Sequence, residues 1–120
     1  MSSESLNSIV FIDLPEDFVL PTKDFTVDNT IPLPVQLPQN TKLKKEDLNT
    51  SSLTVEMILA GILTILAYDT QNKNINYYRY LLKAARPQIR KELTEAAILK
   101  AKNEDYEIAE EIFASLRGLD

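Results

Sequence analysis

The chain has 120 residues, a mass of 13.6 kDa and a formal net charge of −5, with 13 Lys and Arg against 18 Asp and Glu. It contains no Cys and no His, which excludes disulfides, thiol nucleophiles, Cys/His zinc sites and His-dependent catalytic triads. Only two glycines are present, so a glycine-rich phosphate loop is excluded, and the acidic balance argues against nucleic acid as a partner.

Residues 1–50 hold five of the six prolines and show no helical periodicity. In the segment Ile31–Pro38, each proline fixes its own φ and favours extended geometry in the residue before it. We therefore predict an extended ribbon with one apolar edge, which is an unlikely central strand because of its prolines. We interpret residues 1–50 as an arm whose ribbon fills a groove or edge of the helices, in its own chain or in a partner. A disordered tail is the alternative.

Residues 51–120 have the periodicity of about four helices. The first is predicted over 54–68, with Thr54 as its N-cap. Its stretch Met57–Tyr68 is apolar almost all round, but twelve residues rise only about 18 Å, against about 30 Å for a membrane core. A buried helix is therefore predicted rather than a membrane span. The second helix is predicted over 74–85.

The third helix is predicted over 87–102, with Pro87 in its first turn. The fourth is predicted over 106–117, and Gly118 follows it as a natural stop signal. One apolar stripe of the fourth helix contains Tyr106, Ala109, Phe113 and Leu116. If this stripe fills the seam between two helices, replacing its phenylalanine by alanine is expected to cost about 3–5 kcal/mol.

Residues 93–120, LTEAAILKAKNEDYEIAEEIFASLRGLD, carry a pattern of large and small side chains over two helices. Leu93 is followed by Ala96 and Ala97, by a polar turn over 103–105, and then by Tyr106, Ala109 and Phe113. The pattern resembles a tetratricopeptide repeat (TPR), a helix–turn–helix unit with a period of 34 residues. Thirty-four residues earlier, the stretch 56–87 looks like a degenerate copy, with Leu59 at the position equivalent to Leu93.

The resemblance implies a mainly α fold, with antiparallel helix hairpins stacked in a TPR-like right-handed α-α superhelix and an extended Pro-rich N-terminal arm. Residues 1–50 would form the arm, and residues 51–120 a TPR-like helical domain of about four helices. A generic bundle of four amphipathic helices is the alternative. Since about three repeats are usually needed to bury a core, further cover would come from the arm, from a second copy or from chain beyond residue 120.

In the TPR family, the first helix of each pair lines a concave groove. The resemblance places ten residues of this chain on that groove: Met57, Ala60, Thr64, Ala67 and Tyr68 from the first pair, and Lys91, Thr94, Ile98, Ala101 and Lys102 from the second. Such a groove is apolar at one side and basic at the other, and it would bind an extended segment with apolar side chains and some acid. For Met57 and Tyr68, packing in the core is the alternative.

Two charged runs permit further interpretations. The acidic run consists of Glu104, Asp105, Glu107, Glu110 and Glu111, and the basic run of Arg79, Lys83, Arg86, Arg90 and Lys91. The acidic run could hold a cation, and the basic run, which lies near four tyrosines, could stack on RNA. Solvated helix faces, with the tyrosines packed in a helix seam, are the interpretation that the net charge favours.

No set of side chains is spaced as in a catalytic site, so we expect neither an enzyme nor a cofactor or metal. The resemblance implies a non-enzymatic scaffold or adaptor that binds an extended segment of a partner protein in its groove. The alternative is a homo-oligomerisation module, in which the arm and helices pair with a second copy. The N-terminal residues do not have the pattern of a secretory signal, and we expect a cytoplasmic protein without membrane or nucleic-acid partners.

Overall fold

The computed structural model describes residues 6–22, 25–37, 46, 48 and 52–120. In chain order the elements are β1 (Ile9–Ile12), β2 (Leu33–Gln36), α1 (Val55–Tyr68), α2 (Ile75–Ala85), α3 (Ile89–Lys102) and α4 (Tyr106–Gly118). The described part of the chain is mainly helical, as predicted, with one small two-stranded sheet. The end of the predicted ribbon, Pro38, lies outside the described residues.

The helix ends agree with the predicted ones to within about two residues. α1 begins after Thr54, whose side-chain oxygen accepts a hydrogen bond from the backbone N–H of Met57 at 3.1 Å, as expected for an N-cap. α3 begins after Gln88, so Pro87 precedes the helix and does not occupy its first turn. This corrects the predicted start of the third helix.

The two strands pair in antiparallel orientation, with Phe11 opposite Pro34. Both strands of a two-stranded sheet are edge strands, so the missing N–H of a proline is tolerated. Leu33 and Val35 are buried, and Val35 is fully inaccessible to solvent. Residues 33–36 are therefore extended, as the ribbon prediction requires, and their pairing with β1 is a feature that the sequence analysis did not predict.

α1 lies between β2 and α4, and a glycine marks each close approach. A Cβ added at Gly61 would lie 2.3 Å from the carbonyl oxygen of Pro34 in β2. A Cβ added at Gly118 would lie 2.0 Å from the carbonyl oxygen of Leu66 in α1. A glycine that ends a helix usually has a positive φ, and neither of these glycines has one. Gly118 is therefore a contact residue within α4 and does not act as the predicted stop signal.

Two tyrosines of α2 form hydrogen bonds with the loop that precedes β2. The hydroxyl of the buried Tyr78 donates a 2.7 Å hydrogen bond to the carbonyl of Pro32. The hydroxyl of Tyr77 accepts a 2.9 Å hydrogen bond from the backbone N–H of Asp28, and its ring lies 5.5 Å from that of Phe25. Tyr77 and Tyr78 thus pack against the N-terminal residues and not in a helix seam as predicted, and Tyr80 is 71% exposed.

α3 packs against α4, while α1 contacts β2 and α4 extensively and α2 to a lesser extent. A stack of repeat hairpins is expected to bring the first helices of the two pairs, here α1 and α3, side by side. In this fold it is α4 that runs along α1, because Gly118 permits the close contact with Leu66. α3 forms the outermost layer of the helices.

The apolar stripe predicted for α4 divides between core and solvent. Ala109 is buried and Leu116 packs against the core, but Phe113 is 36% exposed and Tyr106 is 64% exposed. The stripe is therefore wrong at its two aromatic positions. The reason is that α4 turns the face carrying Ser115 and Gly118 towards α1, and the two aromatic positions lie on the opposite face of the helix.

Candidate functional site

A cleft of about 200 Å³ lies between α1 and α4, and we call it the α1–α4 cleft. Four of the ten predicted groove residues line it, and all four come from α1: Ala60, Thr64, Ala67 and Tyr68. The remaining lining residues are Leu63 of α1, Leu93 of α3, and Ile108, Glu111, Ile112 and Ser115 of α4. The cleft is therefore a groove between helices with a largely apolar wall.

The other predicted groove residues lie elsewhere. Met57 packs against the hydrophobic core, which was the alternative to a groove position for this residue. Lys91 and Thr94 line a separate depression of about 640 Å³ beside the start of α3. Ile98 and Lys102 are exposed and Ala101 is half-buried, and none of these three lines the α1–α4 cleft. The structure thus does not join the α1 and α3 sets into one groove.

The α4 wall is the part of the cleft that the sequence analysis missed. In a repeat hairpin, α4 is expected to pack on α3, so its residues were assigned to the seam and not to a groove. One signal was present: Ser115 and Gly118 are small residues three positions apart, which places them on one face of α4. Such a face permits close approach of a second helix.

The floor of the cleft has hydroxyl groups, but their hydrogen bonds are directed into the protein. The Ser115 hydroxyl donates to the carbonyl of Leu63 at 2.9 Å, which ties α4 to α1. The Thr64 hydroxyl donates to the carbonyl of Ala60 at 3.0 Å and lies 3.4 Å from Oε1 of Gln36 in β2. Both hydroxyls are therefore already hydrogen-bonded within the protein, and most of the other lining side chains are aliphatic.

The rim of the cleft is acidic. Tyr68 at the end of α1 and Glu111 of α4 both line the cleft, and the carboxylate is close enough to the phenol to affect its pKa. Burial of the phenol, followed by the charge and hydrogen bond of Glu111 and the charges of Glu110 and Glu107, raises the pKa of Tyr68 to about 12. The carboxylates of α4 thus give the mouth of the cleft, at Tyr68, a negative electrostatic potential.

This pKa yields a direct prediction. Phenolate absorbance in an alkaline titration, taken as the difference between wild type and Tyr68→Phe, should show a group that titrates near 12. Because the raised pKa belongs to the folded state, the stability from the neutral phenol is complete below about pH 10 and is lost as the pH rises through 12. Glu111→Gln should lower this pKa towards 10. A difference curve centred at 10 in the wild type would contradict the contact.

Large apolar side chains are concentrated on the surface of the α3–α4 hairpin. Seven large hydrophobic residues of the described part of the chain are exposed, and five of them are in this hairpin: Ile98, Leu99, Tyr106, Ile108 and Phe113. We call these five the exposed apolar set. Ile108 also lines the α1–α4 cleft, so the set reaches the rim of the cleft.

The basic run is engaged in contacts that fix the end of the chain. Arg79 donates a 2.7 Å hydrogen bond to the carbonyl of Gly118, and Arg86 pairs with Glu92. Arg90 donates to both carboxylate oxygens of Asp120 at 2.7 Å and lowers the pKa of that carboxyl group. These partners support the interpretation of the run as a structural, solvated face.

Within the described ranges, no group of three or more acidic residues is arranged to hold a metal ion, so the acidic run forms no such site there. None of the helices in the same ranges combines the length and the apolar character needed to cross a membrane. No protein-family model matches the chain, and neither a curated protein nor a solved structure is significantly similar to it.

Proposed function

We propose that the protein is a non-enzymatic interaction module that docks an extended segment of a partner protein in the α1–α4 cleft. The observation that carries this proposal is the chemistry of the cleft. Its floor is apolar, its hydroxyl groups are already hydrogen-bonded to backbone carbonyls, and it is open along its length between two helices. An open apolar groove suits a side chain of a docked segment better than the chemistry of a reaction.

The surface around the cleft also supports docking. The exposed apolar set includes Ile108, which lines the cleft, and Leu99 of α3, which is 58% exposed. Contiguous exposed apolar surface is characteristic of interaction sites, because it costs free energy when it remains in water. A partner that fills the cleft would extend onto this surface without a rearrangement of the helices.

We propose that the TPR-like character of this module is confined to the α3–α4 hairpin, because α4 and not α3 makes the main contact with α1, unlike in a stacked superhelix. Two features of the α3–α4 hairpin support it. α3 and α4 are joined by a short turn and pack against each other, and the small motif residues Ala97 and Ala109 are both buried. This agrees with the role of small residues at the seam of a repeat unit, and it applies to residues 93–120.

Selection from a random peptide library against the purified chain tests the docking function. We expect recurring peptides that bind the wild type and lose binding to Ala67→Leu, in which a larger side chain fills the cleft. Ala101→Leu is the matched control, since it makes the same change at a residue that does not line the cleft. Peptides that bind both variants equally, or no recurring peptides at all, would refute the proposal.

Homo-oligomerisation is the second candidate, and the exposed apolar set is the observation that favours it. A symmetric dimer through the α3–α4 hairpin would cover Ile98, Tyr106 and Phe113 in both copies. Light scattering at micromolar concentration separates the two candidates. The docking function predicts a particle of 13.6 kDa. A particle of twice that mass that returns to the monomer in Phe113→Ser would make assembly the better explanation.

A further inference from the structure

We propose that the outer edge of β1, which faces away from β2, binds an extended segment of a partner protein as a third, antiparallel strand. The segment carries a lysine or arginine near its N-terminal end. This edge is separate from the α1–α4 cleft, because none of the described residues that line the cleft belongs to β1. It is therefore a second docking site, and its failure would leave the proposed docking function intact.

The hydrogen bonds between the two strands determine which backbone groups of β1 face outward. The N–H of Leu37 donates to the carbonyl of Ser8 at 3.1 Å, and Pro34, which lies opposite Phe11, has no N–H to donate. In an antiparallel pair, hydrogen-bonded positions alternate with open ones. Counting along the strand from the Leu37 bond, Val10 faces β2, whereas the N–H and carbonyl of Phe11 point away from it.

The two outer edges of the sheet differ in their cover. The edge of β2 lies against α1, since a Cβ at Gly61 would be only 2.3 Å from the carbonyl oxygen of Pro34. In the part of the chain that the structure describes, no third strand pairs with β1, and no hydrogen bond joins the outward groups of Phe11 to another residue. An edge strand without charge or proline, such as Ile9–Ile12, is a template for a further strand.

The open groups are the carbonyl of Ile9 and the N–H and carbonyl of Phe11, because a 3₁₀ turn over residues 6–8 directly precedes the N–H of Ile9. Both side chains pack against the core and remain half-buried. Opposite residues of an antiparallel pair have their side chains on the same face of the sheet. β-Branched residues opposite Ile9 and Phe11 would therefore cover the apolar surface that is still exposed there.

Carboxylates at the end of β1 determine the charge of the segment. Asp13 follows the strand and, with Glu16, lines a depression of about 530 Å³ whose other described lining residues carry no charge. Both residues are exposed, and neither forms an ion pair with any residue that the structure describes. In an antiparallel segment, the residue two positions before the one opposite Phe11 lies opposite Asp13. A cation there would pair with the carboxylate, and β1 of a second copy has none to offer.

The capped peptide Gly-Lys-Thr-Val-Thr-Val-Gly, added to the isotope-labelled chain, tests the strand pairing by NMR. Without peptide, the N–H of Phe11 should exchange with solvent faster than that of Val10, which bonds with β2. The peptide should shift the Phe11 amide and slow its exchange. N-Methylation of both valines, whose N–H groups would face β1, should weaken binding about tenfold, whereas N-methylation of both threonines, the matched control, should change it by less than about twofold.

A peptide with glutamine in place of lysine tests the charge preference and should bind about threefold more weakly. The double variant Asp13→Asn, Glu16→Gln should remove this difference. The control is Glu95→Gln, Glu104→Gln, which removes the same total charge from exposed positions of α3 and of the turn after it, and it should leave the difference intact. Thermal unfolding of both variants verifies that they are folded.

Each failure has a distinct signature. An unchanged Phe11 amide, or equal loss of binding with the two methylated peptides, would overturn the strand pairing. Equal binding of the lysine and glutamine peptides would overturn the charge preference. Slow exchange of Phe11 without peptide, together with a particle of twice 13.6 kDa, would assign the edge to a second copy and overturn the partner segment. The docking function is decided separately by the loss of selected peptides in Ala67→Leu, since that residue lines the α1–α4 cleft.

Discussion

Gly61→Ala should destabilise the protein by about 2–3 kcal/mol, the cost typical of an overpacked core. In an ordinary helix the same change stabilises by about 1 kcal/mol, because alanine is the better helix former. The sign reverses here because the new Cβ would lie 2.3 Å from the carbonyl oxygen of Pro34 and 2.9 Å from the backbone nitrogen of Val35. Backbone atoms cannot rotate away, so β2 would have to move off α1. Urea unfolding followed by circular dichroism measures the effect.

The control for this variant is Glu95→Ala, which places alanine at an exposed position of α3. Its stability should change by less than about 0.5 kcal/mol. If Gly61→Ala proved as stable as the wild type or more stable, β2 would not lie against α1 at this distance. The packing of the N-terminal strands on the helices would then need revision.

Ile62→Ala should cost about 3 kcal/mol, within the range for a fully buried isoleucine. Ile62 is completely inaccessible to solvent and belongs to the central hydrophobic cluster of α1. Phe113→Ala removes a larger side chain but should cost only about 1–2 kcal/mol, because that ring is 36% exposed and leaves a smaller cavity. Urea denaturation of the two variants gives both values.

The comparison between these variants distinguishes two packing arrangements. In the arrangement predicted from the sequence, Phe113 fills a helix seam and its replacement costs as much as that of a core residue. In the structure the ring of Phe113 is partly exposed, so the replacement of the smaller but fully buried Ile62 has the larger effect. A greater loss for Phe113→Ala would restore the predicted seam and contradict the observed orientation of α4.

The four helices could be predicted because their signals are local. Thr54 caps α1 with a hydrogen bond to the third residue after it, and apolar residues at helical spacing mark the inner faces of α2 and α3. Ile89, Leu93 and Ala97 are all buried, as their spacing predicts. Each of these features depends on residues within one or two helical turns, and the sequence contains them directly.

The sheet could not be predicted because its pairing is not local. β1 and β2 have four residues each, and the register that joins Ile9 to Gln36 depends on contacts far apart in the chain. Pro34 also argues against a strand when the number of strands is unknown. The sequence did show that residues 33–36 are extended, which is the part that proline determines by itself.

The part of the candidate site that lies on α1 could be predicted, because it depends on local helical periodicity. The part on α4 could not, because it depends on which helices pack together. Ala60, Thr64, Ala67 and Tyr68 lie on one face of α1, and helical periodicity is enough to group them. Their partners across the cleft depend on which helix packs against α1, and periodicity does not determine that choice. Ser115 and Gly118 contained the information, but small residues near a helix end also suit a stop signal.

The fold leaves apolar residues of the α3–α4 hairpin exposed, and our docking proposal uses this surface. The sheet and α2 cover α1 with buried residues such as Val35 and Tyr78, so the core is built largely on one side of α1. α4 and α3 form the other side, where the apolar residues Ile98 and Leu99 are exposed. In the proposed function, a partner would cover this exposed surface.

The most direct test of the docking function is an NMR measurement of short interproton distances between the chain and a peptide obtained by selection. Our account predicts cross-peaks from the aliphatic side chain of the peptide to the methyl groups of Ala60, Ala67 and Ile112, which lie on both walls of the α1–α4 cleft. Cross-peaks to Ile98 and Phe113, without any to these three methyl groups, would place the partner on the outside of the hairpin and contradict it.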